Sequence, residues 1–265
     1  MLSWRPKSDM TKILGIVNIT PDSFWSGSRI NNPDALVERV RQMMADGADA
    51  IDIGGCSTRP GCTFASEEQE MERLSWGLEV LREEFPELLI SVDTFRPRIA
   101  ERCVKEWNVT CINDTLGGDP DMYDTVARTG AVYLLTYAEQ VVADVMKEAE
   151  NFFHDRLEQL AKCGVSVSDK VILDPGFGFG KTLEQHYTML ANMSDLKKFG
   201  LPILAGLSRK SMAFKLLGIT PEEALNATTV MNTIALERGA DWLRVHDVLE
   251  AAEAVKIVNA VKENK

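Results

Sequence analysis

The chain has 265 residues, 45% of them apolar, and a formal net charge of −11. That length suits one α/β barrel of about 250 residues or two small domains. The acidic balance argues against a broad nucleic-acid surface, although a local cluster of Lys and Arg still permits an anionic substrate.

Residues 1–10 are polar and lack the apolar stretch of a signal peptide. The first apolar run is 13–17, and a helical pattern follows over 33–46. A second run, 50–53, precedes a helix at 67–84. The alternation continues with 88–92 then 96–107, with 109–112, and with 131–135 then 148–163. It closes with 171–173 then 183–193, 203–205 then 221–238, and 242–245 then 248–261. Asn32-Pro33 and Thr220-Pro221 place proline at or near the first helical turn. Short Val/Ile/Leu-rich runs alternating with amphipathic stretches predict parallel strands covered by helices. Eight such units predict an α/β fold, a (β/α)8 TIM barrel, ahead of an open doubly wound sheet. No linker or low-complexity tract interrupts the pattern, so residues 1–265 read as a single domain. No apolar run nears the ~20 residues of a membrane span, so a cytoplasmic chain without membrane contact is expected. Cys56, Cys62, Cys103, Cys111 and Cys163 form no CxxC pair and are odd in number, which fits reduced thiols with no catalytic part.

Polar residues gather where the strands end. Asn18 to Phe24 follow the first run, and Gly54-Gly55-Cys56-Ser57-Thr58-Arg59-Pro60-Gly61 the second. Asp93-Thr94, Asn113-Asp114 and Asp174 to Lys181 follow later runs. Ser208-Arg209-Lys210-Ser211 and Arg244-Val245-His246-Asp247 come last. A parallel barrel brings all such ends to one face, where its active site lies. Any one of these residues is equally well read as a helix cap, and Asp22, Ser66, Ser208 and Asp247 are candidates for that role alone. Capping does not call for Arg, Lys, His or Phe at the same ends.

One half of that face is cationic: Arg59, Arg209, Lys210, Arg244 and His246, with Asn18 as a neutral oxygen ligand. Such groups suit phosphate oxygens. The other half holds Asp52, Asp93, Asn113, Asp114 and Asp174, which suit the N–H edge of a heterocycle. The two halves are expected to act separately, so that loss of Arg244 weakens the hold on a phosphate group much more than that on a bare heterocycle. Gly176-Phe177-Gly178-Phe179-Gly180-Lys181-Thr182 looks like a phosphate loop, but Pro175 stands where the Walker pattern needs glycine. Its glycines read instead as a tight turn letting a flat ligand approach Phe179. His154 and His186 fall within helical stretches and read as surface or packing residues, and no His/Cys set has zinc spacing.

In combination and order, these segments resemble the dihydropteroate synthases from end to end. The resemblance is carried by Gly15 to Phe24, Asp52 to Gly61, Ser91-Val92-Asp93-Thr94, Ile112-Asn113-Asp114, Asp174 to Lys181, Gly206 to Ser211 and Arg244 to Val248. It implies a barrel, a dihydropterin diphosphate and p-aminobenzoate as substrates, Mg2+ as cofactor, a homodimer and a sulfonamide target. It implies that Asp93, Asn113, Asp174, Phe179 and Lys210 bind the pterin. Asn18, Thr58, Arg59, Arg244 and His246 would bind the diphosphate, with Asn18 touching the metal. Thr58, Ser208, Phe24 and Phe179 would meet p-aminobenzoate, and Lys210, Asp93 and Arg59 would be the catalytic set. The chain departs from the family pattern at Cys56, at Trp25 in the first loop, and at Thr136-Tyr137 after the fifth strand.

The implied reaction displaces diphosphate from a pterin methylene by an aromatic amine. Its main requirement is stabilised charge on the leaving group, and an aniline nitrogen needs no strong general base. Two rivals share the ring-binding residues: a pterin-binding methyltransferase acting on methyltetrahydrofolate, and a non-catalytic pterin-binding paralogue. Neither needs the diphosphate-binding set.

Overall fold

The structure, a computed structural model, describes residues 4–6, 10–20, 32–57 and 63–264. Its strands are β1 (Lys12–Asn18), β2 (Ala50–Gly54), β3 (Ile90–Asp93), β4 (Cys111–Asp114), β5 (Val132–Thr136), β6 (Val171–Asp174), β7 (Leu204–Ala205) and β8 (Trp242–Val245). The helices are α1 (Pro33–Asp46), α2 (Glu67–Glu84), α3 (Pro97–Trp107), α4 (Pro120–Thr129), α5 (Val145–Lys162), α6 (Val167–Lys170), α7 (Leu183–Ala191), α8 (Ser211–Leu217), α9 (Leu225–Glu237) and α10 (Val248–Glu263). The eight strands run parallel in the order β6-β5-β4-β3-β2-β1-β8-β7. A bridge between Leu173 and Ile203 joins the two ends, so the sheet closes into a (β/α)8 barrel, as the alternation predicts.

Alternation along the strands sorts the residues into two cores. Leu14, Ala50, Cys111, Leu134, Ile172, Leu204 and Trp242 point inward. Their neighbours Ile13, Ile51, Ile112, Leu135, Leu173 and Leu243 point outward, against the helices. Trp4 closes the N-terminal end of the barrel. Its ring lies 5.1 Å from that of Trp242, its Nε1 donates to Thr110 Oγ1 and its carbonyl accepts from Trp242 Nε1.

Three helices lie outside the sequence expectation, α4, α6 and α8. α4 does carry the usual signs: Asp119 caps Met122 N at 2.9 Å, Pro120 opens the helix and Gly130 ends it at φ 67°. Ser66 is a cap, as expected, in a reciprocal capping box with Gln69. No helix among the described residues is long and apolar enough to cross a membrane.

Candidate active site

The same alternation that fills the barrel decides which polar residues reach its mouth. Continuing the inward set upward gives Asp52, Asp93, Asn113, Thr136, Asp174 and Arg244. Asn18 ends β1 beside Gly54, where an added Cβ would lie 3.7 Å from Asn18 Oδ1 and 3.4 Å from Asp93 Cβ. The mouth is therefore closely built on the β1–β3 side.

Arg244 is the centre of this layer. Its Nε donates to Asp52 Oδ2 at 2.6 Å and its Nη2 donates to Asp93 Oδ2 at 2.8 Å. Asn113 Nδ2 also donates to Asp52 Oδ2, at 2.9 Å, and Thr115 Oγ1 donates to Asp93 Oδ1 at 3.3 Å. Burial opposes charge on Arg244, but Asp52 and Asp93 outweigh it and hold the guanidinium above its ordinary value. Burial pushes Asp93 up to about 7; Arg244 opposes that rise, while Asp52 and Glu70 add to it. Asp52 Oδ1 and the hydroxyl of Thr136 are buried with no hydrogen-bond partner in the protein. Buried polar atoms of this kind are ordinarily satisfied by water or by a ligand.

On the far side, Asp174 Oδ1 accepts from Gly176 N at 2.8 Å, and burial raises this carboxyl against the pull of that bond, Lys210 and Arg244. Gly206 leaves room here, since a Cβ would lie 3.9 Å from Asp174 Oδ2 and 4.0 Å from Arg244 Cβ. The Lys210 ammonium sits 4.9 Å above the Phe179 ring, a cation–π arrangement. Ser208 Oγ accepts from His246 N at 3.2 Å and lies 3.1 Å from His246 Nδ1.

Asn18, Asp93, Asn113, Asp174, Phe179, Ser208, Lys210, Arg244 and His246 thus all stand at the C-terminal ends of the strands or in the turns just beyond them. Phe24, Thr58 and Arg59 lie outside the described residues, as does Cys62. Two residues assigned to the face from sequence are turned away from it. Asp114 follows inward-facing Asn113 and so points outward, where Tyr133 Oη and Leu116 N donate to it at 2.9 and 3.0 Å. Arg209 adopts φ 51° and turns into a fork with Asp247, at 2.9 and 3.0 Å, and onto the carbonyls of Pro221 and Glu222. Asp247 stands at the N-cap position of α10, but its side chain makes no cap bond and serves Arg209 instead. Asp52, grouped with the acidic half but given no role, proves to be the anchor of both Arg244 and Asn113. His186 is a packing residue, buried near Phe177 and held neutral by burial, down to about 4. Burial raises the Cys56 thiol, so it is no ready thiolate.

Among the described residues no group of His, Cys, Asp and Glu could hold a metal alone. A cleft of about 450 Å3, lined by Trp4, Asn108, Gly130 and Lys170, opens at the opposite end of the barrel, away from these groups.

A parallel barrel whose mouth joins buried carboxylates to Arg, Lys and His defines a site for a heterocycle with an anionic arm. Residues 14–246 match the pterin binding enzyme family, and the chain belongs to it. The dihydropteroate synthase of Escherichia coli is 38% identical over 269 residues, covering 96% of this chain and 93% of that one. A Yersinia pestis dihydropteroate synthase in complex with a sulfonamide drug superposes with a TM-score of 0.91 at 36% identity, covering 97% and 95% of the two chains. A Xanthomonas albilineans dihydropteroate synthase with 4-aminobenzoic acid gives a TM-score of 0.86 at 34% identity, covering 96% and 94%.

Proposed function

We propose that the chain is a transferase of folate biosynthesis with dihydropteroate synthase activity. It condenses 6-hydroxymethyl-7,8-dihydropterin diphosphate with p-aminobenzoate, giving 7,8-dihydropteroate and diphosphate. The observation that carries this reading is the convergence of Asp93, Asn113 and Asp174 with Lys210, Arg244 and His246 at one mouth. Relatives named for that activity cover nearly the whole chain, and two solved relatives hold 4-aminobenzoic acid and a sulfonamide drug.

In this reading Asp93, Asn113 and Asp174 take the N–H edge of the pterin, and Phe179 and Lys210 bound its open side. His246 and Arg244 meet the diphosphate. Ser208 and Phe179 receive p-aminobenzoate, joined by Phe24, Thr58 and Arg59 from outside the described residues. Lys210 is the charged group nearest the incoming amine, and the carboxylate of Asp93 offsets positive charge on the ring as the C–O bond breaks. Burial of Asp93 strengthens that effect.

Asn18 fits a Mg2+ ligand, because its amide oxygen stands at the mouth and Mg2+ takes few protein ligands, filling the rest with phosphate oxygens and water. When bound, the ion supplies charge stabilisation for the departing diphosphate. The chain acts in the cytoplasm as a homodimer. Support for the dimer comes from exposed Val230 and Ile234 on α9 and Leu249, Ile257 and Val261 on neighbouring α10, an apolar surface that a second copy would cover.

A coupled assay of diphosphate release, run with each substrate omitted in turn, tests the proposal. Release must require both substrates. Release from the pterin diphosphate alone would mark a hydrolase, and no release at all would leave a pterin binder.

A further inference from the structure

The turn that looks like a phosphate loop has the opposite polarity. In a phosphate loop, backbone N–H groups point inward at an anion. Here two of the turn's N–H groups are already used: Gly176 N donates to Asp174 Oδ1 at 2.8 Å, and Phe179 N donates to Gly176 O at 3.2 Å. It is the carbonyls that converge. Lys181 Nζ donates to Tyr137 O at 2.8 Å, Gly176 O at 3.2 Å and Phe179 O at 3.3 Å, using the three donors of an ammonium. The same ammonium lies 4.2 Å from the centre of the Tyr137 ring.

This arrangement depends on glycine. Gly176, Gly178 and Gly180 have φ of 72°, 91° and 54°, a conformation side chains rarely adopt. A Cβ on Gly176 would lie 1.9 Å from Tyr137 O, so the turn is pressed directly onto the end of β5. The Lys210 stem rests on the turn's outer edge, where a Cβ on Gly178 would lie 2.9 Å from Lys210 Cδ. Carbonyl oxygens packed together in a partly buried site repel one another unless a cation lies between them. Burial lowers Lys181 to about 8, with Asp174 opposing and Lys210 adding to the fall, so the group is still mostly charged at neutral pH.

We propose that Lys181 is a positioning residue: by filling this ring of carbonyls it locks the glycine turn to β5 and so sets Phe179 and Lys210 for p-aminobenzoate. This rests on the synthase reading above. Lys181 touches no substrate in this account. The ammonium that a phosphate loop would turn to an anion is here engaged by backbone carbonyls.

The test uses Lys181→Met, which keeps the stem, and Lys181→Ala, which empties the ring. In Lys181→Met, KM for p-aminobenzoate should rise about fivefold or more as the near-attack arrangement loosens, while pyrophosphate Kd stays within about twofold. Ammonium chloride should restore Lys181→Ala, because a small cation can occupy the carbonyls, whereas sodium chloride at equal ionic strength should not. Unchanged KM in folded Lys181→Met overturns the proposal. So does a parallel loss of both ligands with no ammonium effect, which would mark a merely structural lysine. Should Lys181→Ala fail to fold, Lys181→Met decides the matter. Failure of the parent protein to release diphosphate would sink the synthase reading separately; pteroic acid affinity of the same variants, with and without ammonium, would then decide the role of Lys181.

Discussion

Arg244 and Asp93 are joined across the barrel mouth, Nη2 to Oδ2 at 2.8 Å, so the cation expected at the diphosphate also completes the ring site. Asp52 holds the same guanidinium from below. The cationic and acidic halves of the face are therefore coupled, and the separate action expected from sequence does not follow from this geometry.

Arg244→Ala should accordingly weaken both ligands. It leaves Asp52 and Asp93 buried without their counter-charge, and breaking a buried pair from one side costs about 3–5 kcal/mol. His246→Ala is the cleaner probe of the diphosphate. It should lower pyrophosphate affinity about tenfold, the value of a hydrogen bond to a charged group, and barely change affinity for a bare pterin. Titration calorimetry with each ligand distinguishes the two variants. An Arg244→Ala protein that binds the bare pterin normally would show that the Arg244–Asp93 pair does not shape the ring site.

Asp93 should make turnover depend on pH. Its carboxyl is raised to about 7, mainly by burial, and the ionised form is the one that accepts N–H bonds and faces cationic charge. Since kcat/KM reports groups of the free enzyme, its value for the pterin substrate should fall as pH drops through about 7. Asp93→Asn should be slow at all pH and lack that break. A parent profile that is flat across this range would contradict the assignment.

Asp114 should affect stability alone. Its folded value, raised by burial to about 6 from 3.8, means that the folded state holds the proton more tightly than the unfolded one. The resulting stabilisation is present below 3.8 and is lost as pH rises through about 6. Denaturant unfolding of Asp114→Asn should therefore show a flatter dependence over that interval. Asp114→Ala removes the acceptor for Tyr133 Oη and should cost about 1–3 kcal/mol with KM unchanged. A large rise in KM for either substrate would return Asp114 to the site.

The barrel was legible because each apolar run is short and each is followed by a helical period, which leaves few topologies open. The identity of the mouth was legible for the same reason, since strand ends converge in any parallel barrel. What could not be read was which way adjacent residues face. Asn113 and Asp114 are both polar and both end β4, and only the register with β3 and β5 shows that one points in and the other out. Arg209 and Lys210 differ likewise, through one left-handed residue at φ 51° that local sequence does not announce. The helix α4 carries its end signals in Asp119-Pro120 and Gly130, but over ten residues its apolar period is too short to stand out. The direction of Lys181 was beyond sequence, because it follows from the φ angles of three glycines.

The most direct measurement is the mass of the product formed from p-aminobenzoate carrying an isotope-labelled amine nitrogen, incubated with dihydropterin diphosphate, Mg2+ and the purified chain. The products should be 7,8-dihydropteroate with the label in the bridging nitrogen, and diphosphate in equal amount. Unlabelled hydroxymethyl-dihydropterin as the sole product, or no product at all, would contradict the synthase reading.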